Sequence, residues 1–339
     1  MTERRIPEKI LSTIKTHSHF LLLTHVQPDG DAIGSLLATA DMLDGIGKRV
    51  FAYLEEPVSH LYEFLPGKHR TDTDLNNLDQ FIREAGDELC AVALDCGEID
   101  RLGPIKDRLS DITPFMVIDH HLSHANFGDC RWVEPACSST GEMVYEIGAA
   151  LGLPLSFEAA FALYAAISTD TGSFRYECTG ARTLEIAGKL VACGVKPEQV
   201  SGHLYDNFSL ARIRLMQMVL ATLRLCADDR IAFVHVTSEM FEQTGAMPQD
   251  IEGFVEYPRA IASVRVAAFI KQVKADKISA SLRAKGDCNV AEVAKSFGGG
   301  GHRNAAGCKF TGETIESVRQ KLRQSIQDRL DDPTREELS

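Results

Sequence analysis

Four short apolar runs, at 20–23, 50–54, 90–94 and 115–118, recur through the first third of the chain, separated by segments long enough to form helices. The intervening stretches 32–43 and 78–85 carry the small-residue or amphipathic texture of helices. Strands alternating with helices predict a parallel sheet covered on both faces. In such a sheet, ligands bind beyond the C-terminal ends of the strands. Segments 139–151, 157–167 and 181–193 read as further buried helices.

After Gly194 the texture changes to polar-faced helix, with a proline near its start, and 193–215 reads as a connector. Strand-like runs at 231–236, 264–270 and 277–282, a helix over 290–297 and another after Glu313 then predict a smaller α/β domain. The expected organisation is a first domain over 1–192, the connector 193–215, a second domain over 216–330 and a frayed tail over 331–339. The fold class is α/β throughout.

Length supports the division, because 339 residues exceed one ordinary core. Hydrophobic residues at 44% and charged residues at 25% are those of a folded soluble protein. The apolar runs fall far short of the ~20 residues that span a bilayer. The first twenty residues show no signal-peptide pattern, so a cytoplasmic protein without membrane association is expected. Nine cysteines without a CxxC pair point to reduced thiols, Cys96 beside Asp95 being read as a buried spectator. A net charge of -12 opposes binding to long duplex DNA and an RNA-chaperone role, both of which call for an extended basic track. A negatively charged substrate must instead be met by local charge or by metal.

Metal-ligand chemistry is written at four places where an apolar segment ends: LLLTHVQPDGDAIGS with His25, Asp29 and Asp31, AVALDCGE with Asp95, MVIDHH with Asp119, His120 and His121, and AAISTDTGSF with Asp170. Singly, each has a plain structural reading: Asp29 or Asp31 as a turn or helix N-cap, Asp95 as a strand-end turn, His120 as a core histidine. Jointly they point elsewhere. Carboxylates gathered at one end of a sheet repel one another unless a cation neutralises them. Two divalent ions are expected, and mixed carboxylate and imidazole donors suit manganese better than magnesium. The small residues Ala32, Gly34 and Ser35 suit close helix packing, and the free N–H groups of that helix end suit a phosphate.

These segments resemble the four motifs of the DHH phosphoesterase superfamily, and GGGGHRNAAG at 298–307 resembles the glycine-rich signature of the associated DHHA type 1 domain. The likeness covers about 15–330 and is nearest to the group of oligoribonucleases (nanoRNases) and 3'-phosphoadenosine 5'-phosphate phosphatases. It implies a DHH domain linked to a smaller DHHA-type domain, with the active site in the cleft between them. It further implies that His25 and Asp29 hold one metal, that Asp31, His120 and Asp170 hold the other, and that Asp95 bridges both. His121 would face the scissile phosphate, with Asp119 orienting a neighbouring histidine.

In the second domain, the resemblance implies that Arg283 holds a terminal phosphate and that Gly299, Gly300, Gly301, His302 and Arg303 form an anion-binding loop. Lys285 lies beside Arg283 in sequence, Arg259 and Arg175 are weaker candidates for a phosphate that read more simply as surface charge, and Phe174, Tyr176 and Tyr257 are candidates for stacking a base that read more simply as packing residues. The expected substrates are short RNA oligonucleotides and nucleotide phosphates, in the absence of an added basic or oligonucleotide-binding domain. Cyclic or linear dinucleotides are the alternative substrates. Inorganic pyrophosphatase relatives lack the GGGGH segment and fit less well, and a nonhydrolysing nucleotide sensor is the contrasting class. A homodimer is compatible with the family, and no residue read here demands one.

Overall fold

A computed structural model describes residues 5–109, 111–274, 276–286 and 288–331, so that the expected tail lies outside the described residues except for Asp331. The chain forms two compact units that divide between Asp206 and Asn207, inside the stretch expected as a connector. That stretch is itself largely helical.

Among the described residues, the α-helices of the first unit are α1 (Glu8–Thr16), α2 (Gly30–Asp44), α3 (Leu75–Ala85), α4 (Thr140–Leu151), α5 (Phe157–Asp170), α6 (Ala181–Ala192) and α7 (Pro197–Tyr205). Its strands are β1 (His19–Leu23), β2 (Arg49–Tyr53), β3 (Thr71–Asp72), β4 (Leu89–Leu94), β5 (Phe115–Asp119) and β6 (Cys130–Val133). All six pair in parallel, in the order β3-β2-β1-β4-β5-β6.

Successive strand residues point to opposite faces. Phe20, Leu22, Val92, Leu94, Met116 and Ile118 accordingly pack with α2, α4 and α5, whereas Leu21, Leu23, Ala91, Ala93 and Val117 pack with α3 and the 3-10 turns at Ile99–Arg108. Both faces are therefore covered, which is why the strands read as continuous apolar runs. The strand order reverses between β1 and β4, and a doubly wound sheet opens its ligand crevice at that point.

In the second unit, β7 (Arg224–Cys226), β8 (Ile231–Thr237), β9 (Val266–Lys274), β10 (Lys277–Ala284), β11 (Gly300–His302) and β12 (Ala305–Thr311) form a sheet ordered β11-β12-β10-β9-β8-β7. β8 and β9 run parallel, and the other neighbouring pairs in this sheet run antiparallel. Its helices are α8 (Leu210–Ala221), α9 (Ser238–Thr244), α10 (Glu256–Ala260), α11 (Val290–Lys295) and α12 (Ile315–Asp331). The apolar sides of α11 and α12 cover one face of the sheet through Val290, Val293, Val318, Leu322 and Ile326. Leu215, Val219 and Phe241 of α8 and α9 cover the other. Among the described residues no helix is long and apolar enough to cross a membrane.

Candidate metal centre

The chain delivers each candidate ligand at the end of an element. His25 lies just past β1, and Asp29 is the N-cap of α2, its Oδ1 accepting from the N–H groups of Asp31 and Ala32 at 3.1 Å each. Those two N–H groups are thus not available to a phosphate, which corrects that expectation. Asp95 follows β4 with φ +56, a left-handed conformation uncommon for a residue other than glycine, and its N–H donates to Ile118 O at 3.0 Å. Asp119 is the last residue of β5, with His120 and His121 directly after it. Asp170 closes α5 and is followed by three consecutive left-handed residues, Gly172, Ser173 and Phe174, at φ +56, +59 and +62. This turn is held by Ser173 N–H to Ser168 O at 2.7 Å, Phe174 N–H to Thr171 Oγ1 at 3.0 Å and a 2.7 Å contact between the Ser173 and Tyr205 hydroxyls.

These ends converge. His25 Nε2 is 3.6 Å from Asp95 Oδ2. His120 Nε2 lies 3.2 Å from Asp170 Oδ2, 3.5 Å from Asp95 Oδ1 and 3.7 Å from Asp31 Oδ2. His121 Nδ1 sits 2.7 Å from Asp119 Oδ1 and 3.7 Å from Asp95 Oδ1. Among the described residues of the first unit, His25 groups with Asp29 and Asp95, Asp31 with His120 and Asp170, and Asp95 with Asp119 and His121, each group with its ligand atoms within 4.8 Å of one another. Asp95 contributes one oxygen toward His25 and the other toward His120. Both imidazoles contact a backbone carbonyl through Nδ1, His25 to Val26 O at 3.0 Å and His120 to Cys137 O at 3.4 Å. That contact directs Nε2 at the carboxylates, the orientation that metal-binding histidines take.

Electrostatics register the crowding. Burial, reinforced by the charges of Asp95, Asp170 and Asp29, pushes the Asp31 carboxyl well above the usual range. Burial also raises Asp170 to about 6, with Asp29 and Asp95 adding to it. Asp95 goes the other way: burial would raise it, but His25, His121 and His120 outweigh burial and hold it well below the usual range. Burial opposes the charged forms of His120 and His121. Asp170, Asp95 and Asp119 nevertheless raise His120, and Asp119 and Asp95 raise His121. Without a cation the cluster holds protons against its own repulsion. The donor set, carboxylate oxygens with two imidazole Nε2 atoms already aimed at them, fits divalent cations.

Sequence reasoning missed what holds the acids in place. The N–H groups of Thr140 and Gly141, at the start of α4, donate to Asp31 Oδ2 at 2.7 Å and to its Oδ1 at 2.9 Å, while Thr140 Oγ1 donates to Asp95 Oδ1 at 3.0 Å. Ser35 Oγ adds a 3.1 Å bond to Asp31 Oδ1. Glycine is required at 141, where a Cβ would lie 2.7 Å from Ala166 Cβ and 3.3 Å from Asp31 Oδ1. One local signal was available: Ser139 caps α4 by accepting from Glu142 N–H, a Ser-x-x-Glu start of helix.

In the second unit, Arg283 of β10 is not a bare cation. Its Nε lies 3.4 Å from Glu256 Oε1, and Arg259 Nη1 lies 3.0 Å from the other oxygen of the same carboxylate. Lys285 Nζ donates to Ile261 O at 2.7 Å. The glycine run makes the short strand β11, and its glycines serve the packing. A Cβ at Gly299 would lie 2.1 Å from Gly307 O, and one at Gly301, φ +138, would lie 2.5 Å from Ala305 O. Gly298 and Gly299 donate their N–H groups to Lys295 O and Ala294 O, so those two N–H groups already have acceptors.

A parallel sheet with a carboxylate and imidazole cluster at its switch point, followed by a mixed-sheet unit, defines a class. Residues 19–167 match the DHH family, N-terminal domain, and residues 230–328 match the DHHA1 domain. The chain belongs to the DHH family of phosphoesterases and is a hydrolase.

Its relatives narrow the class further. The chain is 29% identical over 310 residues to the bifunctional oligoribonuclease and PAP phosphatase NrnA of Thermus thermophilus, covering 91% of this chain and 89% of that one. It is 27% identical over 309 residues to the protein of the same name from Bacillus subtilis, covering 89% and 92%. Among solved structures, an exopolyphosphatase-related protein from Bacteroides fragilis superposes with a TM-score of 0.84 at 28% identity, over 95% of each chain.

Proposed function

We propose that this protein is a manganese-dependent phosphoesterase that releases mononucleotides from RNAs of two to five nucleotides and converts 3'-phosphoadenosine 5'-phosphate to AMP in the cytoplasm. One observation carries the reading: Asp95 presents Oδ2 to His25 and Oδ1 to His120, the arrangement of a carboxylate shared between two cations. His25 and Asp29 are the proposed ligands of one ion, Asp31, His120 and Asp170 those of the other, and Asp95 the bridge. The likeness to oligoribonuclease and PAP phosphatase proteins over about nine-tenths of the chain supports the substrate class. The charge of -12 supports short substrates over long ones.

Two divalent ions held by these residues would lower the pKa of an attacking water and stabilise charge on the attacking and leaving oxygens. The chain's own residues do the rest. His121, raised against the effect of burial by its bond to Asp119 and by the charge of Asp95, is the proposed proton donor to the leaving oxygen, through Nε2. Asp119 fixes the ring through Nδ1. Arg283, with Gly299 to Arg303, is the proposed grip on a terminal phosphate, Gly299 acting through chain geometry because its N–H is already bonded.

Hydrolysis of an RNA dinucleotide, a pentanucleotide, a 20-mer, 3'-phosphoadenosine 5'-phosphate and a cyclic dinucleotide, each with Mn2+ and with chelator, tests the reading. Rapid metal-dependent cleavage of the two shortest RNAs and of the phosphoadenosine is expected. Cleavage of the cyclic dinucleotide alone would move the substrate assignment to that class. Tight nucleotide binding without product would make the protein a sensor and overturn the proposal.

A further inference from the structure

The start of α4 touches two of the acids that crowd the centre, and it does so with different groups. Thr140 N–H and Gly141 N–H engage both oxygens of Asp31, from a point 109 and 110 residues away in sequence. These N–H groups belong to the first turn of a helix, where no intrahelical acceptor exists, so the carboxylate completes the helix end as well as being fixed by it. The Thr140 hydroxyl instead donates to Asp95 Oδ1, at 3.0 Å. Thr140, Asp31 and Asp95 are all buried, with relative exposures of 0%, 1% and 2%, so water does not substitute for these bonds.

The consequences for the two acids differ. Asp31 has Oδ1 taken by Gly141 N–H and Ser35 Oγ, which leaves the second lone pair of Oδ2, on the His120 side, as its outlet. Asp31 is thereby limited to one-oxygen ligation. Asp95 accepts the Thr140 hydroxyl on Oδ1, the oxygen that faces His120, while its Oδ2 faces His25. The hydroxyl also pins a residue whose backbone is in the left-handed region and which has no glycine-like freedom to adjust.

We propose that Thr140 is a positioning residue for the metal pair, its hydroxyl fixing the rotation of Asp95 so that each carboxylate oxygen addresses a different ion. This rests on the two-ion reading above. It assigns to Thr140 an effect on both ions, whereas Gly141 and Ser35 act through Asp31 on one.

The test compares wild type, Thr140→Ser and Thr140→Val after chelation, by titrating Mn2+ and counting the free ion by its EPR signal, with thermal melts in chelator as a check on folding. Valine keeps the shape of threonine and loses only the donor. Loss of such an outer partner typically costs about 10–100-fold in metal affinity, so Thr140→Val is expected to weaken both binding steps by that order. Thr140→Ser is expected to stay within a few-fold of wild type. Two tight steps in wild type with an unchanged isotherm for Thr140→Val would overturn the role of Thr140 and leave the two-ion reading intact. Weakening of one step alone would also overturn it. Absence of tight Mn2+ binding in wild type would overturn the two-ion reading itself. Were Thr140→Val to melt before titration, Thr140→Ala and Thr140→Ser carry the comparison: equal affinity in those two would reject the hydroxyl.

Discussion

His120 Nε2 and Asp170 Oδ2 stand 3.2 Å apart, the shortest approach between His120 and the three acids around it. In the metal-free protein that contact is a proton-sharing one, with burial raising Asp170 to about 6 and the acids raising His120. For Asp170, the folded form binds the proton more tightly than the unfolded form, so its charging above its ordinary pKa counts against folding. For His120, the stabilisation is complete below its unfolded pKa and fades as pH rises through its folded one. Both signs agree. Chelator-treated protein is expected to lose thermal stability as pH rises from about 4 to about 7, and added Mn2+ is expected to reverse the loss with an effect that grows with pH. Melting curves across that range check this; a metal-free melting temperature that rises with pH would reject it.

His121 separates chemistry from metal binding. Its Nδ1 is bonded to the fully buried Asp119, and its Nε2 is the proposed proton donor. His121→Ala is expected to lower kcat by about 100-fold or more, the usual worth of a well-placed general acid, while the protein still binds two Mn2+ ions. Metal content by elemental analysis, measured beside turnover, distinguishes the roles. Loss of the ions together with activity would make His121 a ligand instead.

Much of this arrangement was legible because the ligand-type residues lie where apolar runs stop, and in a parallel sheet those stops fall on one edge. His25, Asp95 and the Asp119-His120-His121 run are local to β1, β4 and β5. The support from α4 was not legible, because the partners of Asp31 are backbone N–H groups more than 100 residues away, and a Ser-x-x-Glu start of helix says nothing about its tertiary acceptors. β3 and β6 escaped the apolar pattern because they are short edge strands, one of two residues and one with Arg131 exposed. β12 escaped because its buried positions are Ala306, Cys308 and Phe310 between small and charged residues. The packing use of the glycine run was not legible either: two of its N–H groups finish α11, and its missing side chains let β12 approach.

Close packing behind the centre depends on Gly34. A Cβ there would lie 2.5 Å from Ala162 O and 2.9 Å from Ala166 Cβ, on the face where α2 meets α5. Gly34→Ala is expected to destabilise by about 1–3 kcal/mol, the cost of forcing atoms into a packed interface, and to weaken Mn2+ binding by displacing Asp31 one turn away. Gly188 of α6 is the control, since a Cβ there meets nothing within 4 Å. Its replacement by alanine is expected to stabilise the protein by about 0.5–1 kcal/mol. Denaturant unfolding of the two variants measures both, and equal stabilities would remove the packing argument.

Glu256 shares its two oxygens between Arg283 and Arg259, so a phosphate approaching Arg283 must compete with a carboxylate. Only about a third of the Arg283 side chain is exposed, at 34%. A hydrogen bond to a charged group contributes about 1.5–3 kcal/mol, equivalent to roughly 10–150-fold in affinity. Arg283→Ala is therefore expected to raise KM for 3'-phosphoadenosine 5'-phosphate by about that factor with a smaller change in kcat. Glu256→Gln removes the competing charge while keeping the shape, and is expected to lower KM. The paired result is the diagnostic one, because a merely structural ion pair would make both substitutions act in the same direction. Steady-state kinetics on the two variants, with KM unchanged in each, would exclude Arg283 from contact with the substrate.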